Sequence, residues 1–206
     1  MSAPRVISLI GLPGSGKTTL GKALAANWGP RCTYFGVGEA LRESAEADPS
    51  LRERLEDGRL GPEATVLGLV SSAYASCVTE FLVLDGFPRH VAQVAFARVQ
   101  FSHWYVLHIN ITRDTALERL AVRRSCATCG VVAQATNHTT DCGVCGGRTW
   151  TTRAEDSGAP LRRRLEKAES DLQRVFSELT ATQNVTTLDG NASQCMILER
   201  ACSSIL

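Results

Sequence analysis

The chain has 206 residues, with 22 Lys and Arg against 21 Asp and Glu, so its formal charge is only +1. That balance excludes a protein that holds DNA, RNA or an acidic membrane through bulk charge. A composition of 44% hydrophobic and 21% charged residues suits a globular protein with a real core, and the length predicts one domain with room for small insertions.

Before the first Gly-rich loop the apolar run is too short for a secretory signal, and no window holds the roughly 18 apolar residues of a membrane span. An intracellular, cytoplasmic protein is expected, in which clustered cysteines are metal ligands rather than disulfides. Arg5 to Ile10 is a β-branched strand, Gly11 to Thr18 breaks it, and Thr19 to Trp28 has apolar residues at helical spacing. Gly36 to Thr65 is charged and helical. A second strand, Phe81 to Leu84, ends in Asp85-Gly-Phe-Pro-Arg89, and a third, Trp104 to Ile111, precedes a helix over Asp114 to Arg123. Ser125 to Gly158 is poor in long aliphatic residues and rich in Thr, Gly and Cys, so it cannot build a core alone. A long helix then carries Leu161, Leu165, Ala168, Leu172, Val175, Phe176 and Leu179 on one stripe. Val185 to Gly190 reads as a last strand and Ser193 to Ile205 as a last helix. Strands separated by helices predict right-handed βαβ units and a parallel sheet.

Gly11-Leu-Pro-Gly-Ser-Gly16-Lys17-Thr18 fulfils G-x-x-x-x-G-K-[ST] between a strand and a helix. Glycines let successive backbone N–H groups turn inward on phosphate oxygens, and the following helix adds its positive end. Lys17 brings a point charge to the β and γ phosphates, and Thr18 brings a hydroxyl to Mg²⁺. A mere glycine turn is the alternative, and the complete Gly-Lys-Thr ending opposes it. Asp85-Gly-Phe-Pro-Arg89 sits at the end of a strand, where open α/β sheets bind ligands. Asp85 suits Mg²⁺ through water, and the Arg89 fork suits a second phosphate.

Cys126-Ala-Thr-Cys129 and Cys142-Gly-Val-Cys145 are two Cys-x-x-Cys knuckles. Four thiolates close a tetrahedral structural Zn²⁺ site, which a segment so poor in apolar residues needs as a staple. Two disulfides or a redox pair are the alternatives. His138 lies between the knuckles as a substitute ligand the four cysteines make unnecessary. Cys32, Cys77, Cys195 and Cys202 are expected to be small buried hydrophobes.

The chain resembles the adenylate kinases, and more broadly the nucleoside monophosphate kinases, in an ordered series of motifs. They are the phosphate loop, Val37-Gly-Glu-Ala-Leu-Arg42, Asp85 to Arg89 with Gln93, Arg119, Arg123-Arg124, the four-cysteine segment, Arg153-Ala-Glu-Asp156 and Arg164-Leu165. The resemblance implies a three-layer α/β P-loop NTPase core with a parallel five-stranded sheet, formed by 1–35, 66–123 and 159–206. It implies a helical NMP-binding insertion at 36–65 and a small zinc-ribbon lid at 124–158. The implied reaction is ATP + AMP = 2 ADP, with Mg²⁺, in a monomer that engages neither nucleic acid nor membrane. Lys17, Arg123, Arg153 and Arg164 would gather around the transferring phosphoryl group, with Arg89 and Arg42 on the acceptor phosphate. The ATP side would comprise Gly14, Ser15, Gly16, Lys17, Thr18 and Thr19, then Arg119, Arg123, Val132 and Ala192. The AMP side would comprise Val37, Arg42, Arg59, Leu60, Gly61, Gly86, Phe87, Arg89 and Gln93, with Arg153 and Arg164.

This sequence departs from the family at a few points. Val37 stands where the family usually has a Thr that helps to recognise the acceptor base, which keeps UMP, CMP and GMP as alternative acceptors. Glu39 replaces an Asp, Val132-Ala133 stand where relatives often have an aromatic, and Glu155-Asp156 replaces Asp-Asp. A nucleic-acid-binding zinc ribbon joined to a P-loop switch is the remoter alternative, and the near-neutral charge opposes it.

Overall fold

Strand β1 (Arg5–Ile10) lies in the middle of a five-stranded parallel sheet. The strand order is β2-β3-β1-β4-β8, where β2 is Cys32–Gly36, β3 Phe81–Asp85, β4 His103–Asn110 and β8 Val185–Asp189. The computed structural model of the chain describes residues 3–134, 141–181 and 185–206; His138 lies outside them. Every residue of β3 is buried, because a parallel sheet covered on both faces has no use for polar alternation. Ile7, Leu9, Phe81 and Val83 face one side, against Leu20 and Leu24 of α1 (Lys17–Trp28) and Ala201 and Ile205 of α8 (Gln194–Ile205). Val6, Ile10, Leu82, Leu84 and Val106 face the other. There they meet Val66 and Val70 of α4 (Glu63–Ser76), Val94 and Ala97 of α5 (Val91–Gln100), and Val175 and Leu179 of α7 (Gly158–Thr180). Each Val, Leu, Ile or Phe side chain so removed from water contributes roughly 1.5–3 kcal/mol, so the two faces together lock the sheet between its helices.

Between β2 and β3 run α2 (Val37–Ala47), α3 (Pro49–Glu56) and α4. Asp48 opens α3 by accepting from the Ser50 and Leu51 N–H groups at 3.0 and 3.1 Å, with Pro49 at the first helical position. α4 runs unbroken through 65 and 66, so its first turn belongs to the ligand side and its remainder to the core. After α6 (Arg113–Ala121), the strands β5 (Arg123–Cys126), β6 (Val132–Gln134) and β7 (Trp150–Thr151) form a small antiparallel sheet ordered β6-β5-β7. Among the described residues, no helix is long and apolar enough to cross a membrane.

Two expectations need correction, on the end of α6 and on the scattered cysteines, and two features have no counterpart among them. The helix expected to reach Arg123 stops at Ala121, and Arg123 begins a strand that carries it to the cleft. β2 carries no clear signal in the sequence, because Cys-Thr-Tyr-Phe-Gly is short and its first four residues are only half-buried at the sheet edge. Cys195 is exposed, and Cys32, Cys77 and Cys202 are half-buried, packed against the margins of the core rather than within it. The stripe of α7 also includes Asp171, 3% exposed, whose Oδ1 accepts from Lys167 Nζ at 2.8 Å.

His108 of β4 packs its ring 4.9 Å from that of Phe176, and its Nδ1 is buried with no partner among the described residues. Burial, and then the charge of Lys17, hold its pKa below the ordinary 6.5. The neutral ring is therefore the form that fits. Stability from this site is complete above about pH 6.5 and is lost as pH falls through the folded-state pKa. His108→Phe should flatten the dependence of unfolding free energy on pH in that acid range, by up to one proton equivalent. Urea melts at a series of pH values check this.

Candidate functional site

The loop between β1 and α1 wraps the ammonium group of Lys17, which is only 9% exposed. Its Nζ donates to Gly11 O at 2.9 Å, Leu12 O at 2.7 Å and Ser15 Oγ at 3.2 Å. Burial drives its pKa down to about 7; Asp85 pulls it up, while Arg89, Arg164 and Arg123 push it further down. A phosphate oxygen arriving here would supply the counter-charge that neutral partners cannot. Beside it, Thr18 Oγ1 donates to Asp85 Oδ2 at 2.5 Å, and Tyr34 Oη donates to the same oxygen at 3.0 Å. A hydroxyl and a carboxylate in contact at a phosphate loop form a donor set that fits Mg²⁺.

Across the cleft, the turn after β3 aims Arg89. Gly86 has φ +80, and a Cβ there would come within 2.5 Å of Arg89 Nη2, so only glycine leaves room for the guanidinium. Arg89 Nε donates back to Gly86 O at 2.8 Å. A Cβ on Gly38 would lie 3.6 Å from Arg42 Nη1 and 4.0 Å from Arg89 Nη2, so these two forks converge over one point of backbone. Burial lowers the Arg89 pKa, and Arg42 lowers it further against the pull of Asp85.

Two further arginines share one carboxylate. Arg164 Nη1 donates to Asp156 Oδ1 at 2.7 Å and Arg123 Nε to Asp156 Oδ2 at 2.7 Å. The Asp156 side chain is fully shielded from solvent between them. Burial lowers Arg164 to about 10, with Arg123 the next contributor, and lowers Arg153 to about 10, with Arg42 and Arg123 next. Buried cations that also feel the charge of neighbouring arginines form a site short of negative charge.

These groups line a cavity of about 940 Å³. Gly14 to Thr19, Arg119, Arg123, Val132 and Ala192 stand on its wall, and so do Asp85, Arg153 and Arg164. Val37, Arg42, Arg59, Leu60, Gly61, Gly86, Arg89 and Gln93 form the other part of that wall. Arg119 is anchored by Nη2 to Gly190 O at 2.9 Å, which ties α6 to the loop after β8. Arg54 Nε, donating to Leu60 O at 2.5 Å, secures the loop holding Leu60 and Gly61. Phe87 is the exception. Its ring is fully buried and meets Phe96 and Phe101 edge-on at 6.2 and 6.3 Å, so it supports the turn from beneath and does not line the cavity.

The four sulfur atoms of Cys126, Cys129, Cys142 and Cys145 lie within 4.8 Å of one another, with two pairs at 3.6 Å. Tetrahedral Zn–S bonds of about 2.3 Å would place sulfurs roughly 3.8 Å apart, so the group could hold such an ion. Backbone N–H groups of Cys129 and Thr128 lower the Cys126 thiol toward the thiolate a metal needs, while Cys145, against the pull of the Gly147 N–H, is held up by the neighbouring sulfurs and burial.

Sequence reasoning gave no role to Asp156 itself, to Tyr34 or to Asp171. The i, i+3 spacing from Arg153 to Asp156 was available, but nothing in it reveals that one carboxylate serves Arg123 and Arg164 together.

A family model described as an AAA domain matches residues 10–127. The adenylate kinase of Geobacillus sp. (strain WCH70) is 32% identical over 173 residues, covering 77% of this chain and 78% of that protein. The adenylate kinase of Bacillus subtilis (strain 168) is 30% identical over 195 residues, covering 86% and 88%. That of Haloarcula marismortui is 29% identical over 201 residues, covering 92% and 91%.

Asp156→Asn would leave two largely buried guanidinium groups without their shared counter-charge. The expected cost is about 3 kcal/mol of folding stability, read by denaturant titration. Added pyrophosphate should restore more stability to the variant than to the parent chain.

Proposed function

Because this chain belongs to the adenylate kinase family and is a nucleoside monophosphate kinase, we propose that it transfers the γ-phosphoryl group of ATP to AMP, giving two ADP. The observation that carries the reading is the gathering of Lys17, Arg89, Arg153 and Arg164 with Arg42 and Arg123, cations whose charges repel one another, in a single cavity that joins the phosphate loop to the pocket of Val37 and Gln93. Two phosphorylated ligands end to end would relieve that repulsion. The loop amides of Gly14 to Thr19 hold the donor phosphates, while Arg89 and Arg42 hold the acceptor phosphate in line with them. Lys17, Arg123, Arg153 and Arg164 meet the charge that spreads over the transferring group. Arg119, Val132 and Ala192 border the donor nucleoside; Arg59, Leu60, Gly61 and Gly86 border the acceptor. Thr18 and Asp85 would hold Mg²⁺, whose charge, when bound, offsets that of the β and γ phosphates. Cys126, Cys129, Cys142 and Cys145 would hold a structural Zn²⁺.

A second reading concerns the acceptor base. Gln93 Oε1 already accepts from the Arg89 N–H at 2.8 Å, and Val37 offers no hydroxyl. Its amide N–H groups remain for the base, and every base presents acceptors to them. CMP, UMP and GMP are therefore weaker acceptors rather than excluded ones.

A coupled assay of ATP against AMP, GMP, CMP and UMP tests both readings: AMP should be fastest by kcat/KM, with measurable turnover of at least one other. Val37→Thr should widen the preference for AMP by about fivefold, the equivalent of one hydrogen bond of about 1 kcal/mol. Lys17→Ala should lower kcat by at least about 10²-fold. A variant that retains parental turnover would contradict the mechanism. Chelation should release one zinc per chain, seen by metal analysis, and lower the melting temperature.

A further inference from the structure

Tyr34, in the edge strand β2, has no part in the sequence reading, yet its hydroxyl reaches the centre of the site. Two glycines make room for it. A Cβ on Gly21 of α1 would lie 2.7 Å from the ring carbon Cε2, and a Cβ on Gly36 would lie 2.9 Å from the hydroxyl oxygen. Both are closer than such atoms pack, so a side chain at either position would displace the ring. Lys22 Nζ sits 5.6 Å from the ring centroid and 3.0 Å from Glu39 Oε1, which closes the slot from outside. The ring is thus held on several sides, and its hydroxyl donates to Asp85 Oδ2 at 3.0 Å.

That oxygen has a second donor, Thr18 Oγ1, at 2.5 Å. In the function proposed above, Thr18 serves the cation of the donor nucleotide, and a hydroxyl turned to a cation no longer holds Asp85. An aspartate carboxyl rotates about a broad, two-fold torsion, so a single fixed donor decides which oxygen faces the cleft. Donors that hold a metal-ligating carboxylate in place commonly alter metal affinity by 10- to 100-fold.

We propose that Tyr34 is a positioning residue for the divalent cation: its hydroxyl clamps Asp85 Oδ2 and presents the remaining carboxylate oxygen to the nucleotide's metal. The proposal rests on the kinase reading. It also gives a reason for Gly21 and Gly36, which neither the phosphate loop nor the helix periodicity requires.

Tyr34→Phe removes the hydroxyl and keeps the ring. Titrating Mn²⁺ into the protein with ATP, followed by paramagnetic resonance, should show metal affinity weakened about tenfold. ATP affinity measured without metal should be unchanged. In the assay, the Mg²⁺ concentration for half-maximal rate should rise by a similar factor, while KM for AMP stays constant. Gly21→Ala, which pushes the ring aside without touching Asp85, should reproduce the metal shift, and it decides the matter if Tyr34→Phe does not fold. An active kinase whose Tyr34→Phe variant keeps parental Mn²⁺ affinity overturns this proposal alone. A parental chain that binds Mn²⁺ and ATP but phosphorylates no monophosphate overturns the function and the proposal together.

Discussion

Buried positive charge in excess of its counter-charge is the constraint on which the rest of this structure depends. Lys17, Arg89, Arg153 and Arg164 are each driven toward neutrality, first by burial and then by other cations of the cleft. An unconstrained chain would swing such side chains out to water. Here they are fixed by short links to rigid elements: Lys17 to the loop carbonyls, Arg89 to Gly86, and Arg164 with Arg123 to Asp156. The parallel sheet supplies the rigidity. β1 and β3 pair in register, Leu9 beside Asp85, so the phosphate loop and the arginine turn leave the same edge side by side. Two elements remote in sequence therefore converge without help from any ligand.

Legibility in the sequence followed how local each device is. The phosphate loop is a contiguous segment whose glycines, lysine and threonine each have a backbone reason, and it could be read outright. The turn from Asp85 to Arg89 was nearly as plain, because it follows an apolar strand at once. Paired Cys-x-x-Cys knuckles declared themselves by spacing, and the sulfur cluster has the compactness that spacing requires. Phe87 belongs to a legible motif, yet its ring lies beneath the cavity wall, since a motif shows which residues travel together and not which of them face the cleft.

What escaped was non-local. Asp156 matters because two guanidiniums, 33 and 8 residues away, close on its two oxygens. Tyr34 matters because Gly21 and Gly36 leave space on either side, and that complementarity exists only once β2 lies against α1. β2 itself hid for the same reason: four half-buried residues and a buried glycine carry little alternation, and their strand is formed by pairing with β3. Asp171 holds a stripe position of α7 by its spacing, but a charged residue there reads as an exposed one. In each case tertiary geometry, not propensity, assigns the role.

The links between the helical insertion and the segment that leads into α7 are of a different strength. Arg42 approaches Glu155 at 3.8 Å and Arg163 approaches Asp57 at 3.8 Å, both partly exposed pairs. Contacts of that class contribute about 0–1 kcal/mol each and weaken further with salt. The opposing repulsion is concentrated among largely buried groups, where charge is least screened. Such pairs cannot decide how tightly the walls approach one another. Anionic ligands can, because their phosphates neutralise the cations on both walls at once. In the function proposed, a cleft arranged in this way gains most from ligands that carry phosphate to both walls at once.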